Sequence, residues 1–295
     1  MSERPIRTII TGIGAGILVL ALILTGVGIY RWAVSRWGPP PPPPPASLCE
    51  ALVNSSRADL SWEQSRNASI IAAVAAQRGL VPRAVSIGIT TAFQESGIRN
   101  LDYGDRDSLG IFQQRPSQGW GTADQIMDPY YATGKFFDVM VTIDDWANAD
   151  IGDVAQAVQR SGYPDAYDQH VPTARLLASA LSGETPAAWS CIVHDSSPAD
   201  PDQLLAQITR AYGATLMAQL VTPATADEHP SIQITASTEQ VAWSAGAFAQ
   251  SWATQTGITK VSVGQFEWTA SPSVLAGWIG IPDDPPPPTS VTITF

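Results

Sequence analysis

The sequence predicts a mainly α-helical domain, a small α/β domain after it, and an N-terminal transmembrane helix. Three observations predict this. Residues 9–30, IITGIGAGILVLALILTGVGIY, carry no formal charge over 22 positions, and a bilayer is crossed by about 20 apolar residues. Between residues 67 and 181 apolar side chains recur at helical spacing without strong strand alternation. Beyond residue 230 short alternating runs take over, at 231–235, 260–263 and 265–269.

In chain order, residues 1–8 read as a short cytoplasmic tail and residues 9–30 as the transmembrane helix, making the lipid bilayer one partner. A cleaved signal peptide is the alternative, but the apolar run is longer than a usual signal core and no clear small-residue cleavage site follows. Arg4 and Arg7 flank one end and Arg31 and Arg36 the other, so flanking charge is nearly balanced. Residues 31–47 form a juxtamembrane and polyproline linker. Its seven consecutive prolines, residues 39–45, favour a stiff polyproline II spacer of about 3.1 Å per residue. Beside a membrane, a spacer explains this run more simply than an SH3-type ligand does.

Residues 48–192 form the helical domain. Ser61 and Asn67 both offer a start for a helix, the latter opening residues 67–79, whose stripe is Ile70, Ile71, Val74 and Ala75, with Gly79 as its stop. Pro82 opens the next, which runs to Glu95, and further helices are expected at 131–140, 151–159 and 172–181. Residues 193–201 read as a linker and 202–282 as the α/β domain, with a hairpin around Gly264. Residues 283–295 form a proline-rich tail whose final VTITF adds an edge strand or none.

Composition excludes several function classes. The chain of 295 residues has a formal charge of −11, and from Gly38 onward it holds 12 basic and 26 acidic side chains. That balance excludes a nucleic-acid binder, which needs clustered cations for phosphate. Three histidines and two cysteines leave little for a multi-ligand zinc site. Asp102, Asp105 and Asp107 are closely spaced oxygen ligands, yet they lack the pattern of an EF-hand loop. No metal and no cofactor is expected. Ser86 and Ser96 stand in no nucleophile-elbow context. Cys49 and Cys191 bracket a segment of single-domain length. An extracytoplasmic body permits a disulfide between them, the alternative being two unrelated buried thiols. These features together favour a single-pass cell-membrane protein with its N-terminus in the cytoplasm and its body outside.

Residues 89–115, ITTAFQESGIRNLDYGDRDSLGIFQQR, hold the densest chemistry. Glu95 falls near the helix break at Gly97. A glycine- and aspartate-rich loop follows, and the chain returns through an apolar segment to Gln113, Gln114 and Arg115. A carboxylate at such a helix end, once partly desolvated, keeps a proton for a leaving group. The plainer alternative makes Glu95 a solvated helix residue and the glutamines loop caps.

This stretch resembles the lysozyme-like domain of lytic transglycosylases, in Gln94-Glu95-Ser96, then Asn100, then Ser108-Leu109-Gly110-Ile111-Phe112-Gln113-Gln114. With the GDRDSLGIFQQRPSQGWGT and AVQRSGYPDAY blocks, the span Cys49–Cys191 resembles an actinobacterial, membrane-anchored branch of that superfamily. The resemblance implies a lysozyme-like fold and cleavage of the β-1,4 bond between N-acetylmuramic acid and N-acetylglucosamine. It implies Glu95 as the catalytic acid and base, with Ser96, Gln113, Gln114 and Tyr163 binding substrate. Tyr163 lies where that family places an aromatic residue, although Pro164 follows it and the family's asparagine is absent. A muramidase-type hydrolase would need a second carboxylate, for which Asp102, Asp105 and Asp107 are the candidates. A non-catalytic glycan-binding or cell-wall scaffold is the reading from another class. The implied partners are peptidoglycan glycan strands and cell-wall assembly proteins.

Overall fold

The computed structural model describes residues 22–29, 31, 36, 48–162, 164–222, 229–281 and 285–295. The chain forms two compact units, Met1–Pro44 and Pro45–Phe295. In the first, residues 22–29 are helical and expose Leu22, Ile23, Leu24, Val27 and Ile29. Among the described residues no helix is long and apolar enough to cross a membrane, which corrects the expected transmembrane element. Most of the predicted span, and the proline run at 39–45, lie outside the described residues.

The second unit opens with strands β1 (Leu48–Val53) and β2 (Ser56–Ser61). Asn54 and Ser55 between them have φ of 47° and 67°, the left-handed pair that a two-residue type I′ hairpin turn requires. Strand β3 (Trp189–Cys191) pairs with the other side of β1, giving the order β2-β1-β3. That register sets Cys49 opposite Cys191, and the two form a buried disulfide across 142 residues of sequence.

Helix α1 (Trp62–Gln77) starts at Ser61, whose side chain and that of Gln64 form a reciprocal capping box. Its buried middle, ASIIAAVA, is small enough for neighbours to close in. Helix α2 (Pro82–Ser96) approaches so nearly that a Cβ on Gly88 would meet Ile71 Cγ2 at 2.9 Å. Helices α3 (Ala123–Ile126), α4 (Pro129–Met140), α5 (Ile151–Gln159) and α6 (Val171–Leu181) complete the layer around α1 and α2.

Helix α7 (Pro201–Tyr212) leads to β4 (Leu216–Val221) and β5 (Ser231–Ala236). Helices α8 (Glu239–Ser251) and α9 (Ala253–Thr256) come next. Strands β6 (Lys260–Val263), β7 (Phe266–Thr269), β8 (Ile279–Gly280) and β9 (Ser290–Thr294) then complete an antiparallel sheet of order β4-β5-β9-β6-β7-β8. The VTITF tail thus lies inside the sheet, paired to β5 on one side and β6 on the other.

The expected fold class is corrected on these points. A three-stranded antiparallel sheet stands within the predicted helical domain, and the predicted α/β domain carries six antiparallel strands. The first sheet gave little sequence signal because its inward faces use Cys49, Ala51, Ala58 and Leu60, mostly small side chains. Residues 193–201 run within the single unit Pro45–Phe295. Helix α8 packs on α1 and also on β5, β6 and β9, so one core serves both halves. At that seam the buried Ser244 Oγ donates to Leu181 O at 2.8 Å and is bonded to the Tyr212 hydroxyl at 2.9 Å.

Candidate active site

Glu95 lies in the last turn of α2. Pro82 starts that helix at a position that needs no N–H donor, and Gly97, at φ +64°, ends it. The Gly97 N–H reaches Phe93 O at 3.0 Å and the Ile98 N–H reaches Ala92 O at 2.9 Å, satisfying the terminal carbonyls. Ile98 is buried under the turn. The turn therefore holds Glu95 half-buried at the rim of the core.

Burial pushes the Glu95 carboxyl above its ordinary pKa, and a hydrogen bond from Tyr167 pulls back against it. The Tyr167 hydroxyl donates to Glu95 Oε1 at 2.5 Å. Tyr167 is buried between the 3-10 turns Pro164–Ala166 and Asp168–His170. Burial and the neighbouring carboxylate hold its phenol above the ordinary range, so it remains a donor, and Ser161 is bonded to the same phenol.

The flank of α2 adds amides and a ring. Gln94 Oε1 accepts from Gln169 Nε2 at 3.4 Å and lies 3.2 Å from His170 Nε2. The His170 imidazole stacks on Phe93 at 5.5 Å, and burial lowers its pKa. The neutral ring is thereby favoured beside the amide.

The loop after α2 is tied back to it. Ser96 is buried and its hydroxyl donates to Ile111 O at 2.8 Å and Ala92 O at 3.2 Å, while accepting from the Arg99 N–H at 3.1 Å. Gln114 is also buried, its amide donating to Ala132 O at 3.1 Å. Both side chains are used in holding the return segment. Gln113, by contrast, is half-exposed and turns out at φ 47°. Its amide spans from Tyr103 O at 3.3 Å to Gly110 O at 3.2 Å, over Gly104, where a Cβ would sit 1.9 Å from Gln113 Oε1. The backbone Ser108 O, 2.8 Å from the same Cβ, restricts the position to glycine.

The three aspartates part company. Asp107 accepts from Arg115 Nε at 2.7 Å, from the Ser117 N–H at 2.8 Å and from its hydroxyl at 3.0 Å. The Arg115 bond first, and the Ser117 bonds next, hold its carboxyl well below the usual range. Its charge is committed to the loop. Asp102 and Asp105 are exposed, Asp105 lying 3.9 Å from Arg106. Among the described residues no three His, Cys, Asp or Glu side chains gather where a metal ion could be held.

The site thus centres on one partly desolvated carboxylate with a phenol donor upon it, and Gln113 stands on the loop that Ser96 ties to the same helix. No protein-family model matches the chain, and no curated protein does either. Of the substrate-binding residues expected from the sequence, Tyr163 lies outside the described residues. Tyr167, four positions later, carries the contact to Glu95. The loop SGYPDAYDQH marks Tyr167, with Tyr163 and His170, as a residue between helices whose ring could bind sugar or serve the packing, but nothing local shows its partner, because the contact spans 72 residues. Gln159, whose amide donates to Phe112 O at 2.7 Å, was equally silent.

Proposed function

We propose that the protein is an extracytoplasmic lytic transglycosylase of peptidoglycan, with Glu95 as its single acid and base. The observation that carries this reading is a half-buried carboxylate whose pKa is raised by burial and one of whose oxygens is held by Tyr167. The resemblance of residues 92–115 to lytic transglycosylases supports the substrate class. The disulfide supports an oxidising compartment.

Because Tyr167 donates to Oε1, the acid proton belongs on Oε2. Glu95 gives that proton to the glycosidic oxygen, and the bond from C1 of N-acetylmuramic acid to that oxygen breaks. The substrate's 2-acetamido oxygen stabilises the positive charge developing at C1. The C6 hydroxyl then attacks C1, and its proton returns to the Glu95 carboxylate as the 1,6-anhydro ring closes. One protein carboxylate suffices. A hydrolase with two carboxylates draws less support, since Asp107 is bound by Arg115 and Ser117 while Asp102 and Asp105 are exposed.

The test is mass spectrometry of purified peptidoglycan digested by the protein and by Glu95→Gln. Anhydro-muropeptides from the unaltered protein alone support the reading. Reducing-end products contradict it in favour of a hydrolase, and glycan bound without any product favours a binding module.

A further inference from the structure

An open cavity of about 490 Å³ adjoins Gln113. Arg115, Lys135 and Arg160 line it beside Trp120, against one carboxylate, Asp138. This is unexpected in so acidic a body, because from Gly38 onward only 12 side chains are basic against 26 acidic. A quarter of those cations meet at this one opening.

We propose that this cavity binds the carboxylates of the peptide stems borne by the glycan strand. The inference rests on the reading of the protein as acting on peptidoglycan. The three cations are prepared in different ways. Asp107 and Ser117 bond to Arg115 and fix its guanidinium at the wall. Lys135 shares Asp138 with Arg78, at 3.9 Å from Asp138 Oδ2. Arg160 caps α5 in the left-handed conformation, φ 54°, and its side chain is exposed. It lines the cavity, and a planar guanidinium can meet a carboxylate in two-point contact. Trp120, Val139 and Val158 line the same cavity and give apolar surface for the aliphatic part of a peptide. A bare phosphate would leave that surface unused.

The location explains the chemistry. Gln113 belongs both to this cavity and to the loop tied onto the Glu95 helix, and Gln159 joins them through its bond to Phe112 O. A stem anchored here would set the register of the sugar whose bond is broken, giving preference for strands that still carry their peptides.

The test is calorimetric titration of the full chain, in its Glu95→Gln form so that no product forms. The probes are a muramyl peptide with free carboxylates, the same peptide amidated, a glycan freed of stems, and inorganic phosphate. The free-acid peptide should bind about tenfold more tightly than the amidated one, as for loss of a charge-assisted contact. Its affinity should fall with added salt. Arg160→Gln and Lys135→Gln should each erase most of that difference, with unchanged thermal melts showing intact folds. Equal binding of both peptides, or a difference that survives both substitutions, would overturn the proposal. So would phosphate displacing the peptide at equal concentration, which would assign the cations to a phosphorylated wall polymer. Carboxylate-dependent binding by a protein whose unaltered form cleaves nothing would keep this site and discard the transglycosylase reading. Cleavage without carboxylate preference would do the reverse.

Discussion

The Tyr167 hydroxyl and Glu95 Oε1, 72 residues apart in sequence, meet at 2.5 Å. The bond favours the charged carboxylate, whereas burial favours the protonated one, and burial is the larger effect. The acid is therefore held protonated to higher pH than an ordinary glutamate, with the phenol limiting how far.

Tyr167→Phe removes the bond that stabilises the ionised form, so the Glu95 pKa rises further. A general acid is active while protonated, and its activity falls as pH rises through its pKa. The alkaline limb of the kcat/KM profile should move to higher pH in this variant, with lower peak activity. At pH values where Glu95 is ionised, losing this hydrogen bond to a charged group should also cost about 1.5–3 kcal/mol of stability. An unmoved or acid-shifted limb would contradict the role given to Tyr167.

Glu95→Gln should stabilise the fold at neutral pH. The folded pKa of Glu95 lies above its ordinary value of 4.5, so the unfolded chain loses this proton first as pH rises. Stability from this group is full below that value and declines as pH climbs through the folded pKa. Glutamine still accepts from Tyr167 and does not ionise. Thermal melts should show the variant above the unaltered protein at pH 7 and level with it at pH 4. A variant less stable at pH 7 would speak against a desolvated carboxylate.

How much of this was legible in the sequence follows from the range of each interaction. Glu95, the stop at Gly97 and the return through Gln113 lie within one stretch, and local signals placed them. Tyr167 was legible as a loop tyrosine suited to a sugar ring or to packing, but its bond to Glu95 was not, because nothing near it in sequence marks that partner. Strands β1 and β2 were missed since Ala51, Ala58 and Cys49 give too little apolar alternation beside a strong helical signal. The alternation of VTITF was visible, but an inner position is fixed only by the distant strands β5 and β6.

The disulfide should matter more than its surroundings suggest. Cys49 and Cys191 close a span of 142 residues, and the chain entropy removed from the unfolded state grows with that length. Replacing both by serine should lower the unfolding free energy by roughly 2–5 kcal/mol. Urea titration checks this, and the reduced unaltered protein should behave as the double variant does. Equal midpoints with and without the bridge would refute it.

Ser244→Ala tests the common core. Its hydroxyl bonds to both Leu181 O and Tyr212, so its removal leaves buried polar atoms unsatisfied at a cost of about 1–3 kcal/mol. Tryptophan fluorescence and far-ultraviolet circular dichroism should show one shared transition at lower temperature. Two separate transitions in the unaltered protein would instead mark two independently folding halves.

The central claim is intramolecular closure by a single carboxylate, and digestion in heavy-oxygen water tests it most directly. If Glu95 takes the proton of the C6 hydroxyl as its oxygen bonds to C1, released muramic ends are anhydro sugars that carry no solvent oxygen. Reducing ends labelled with heavy oxygen at C1 would show that water is the attacking group, and would contradict the account.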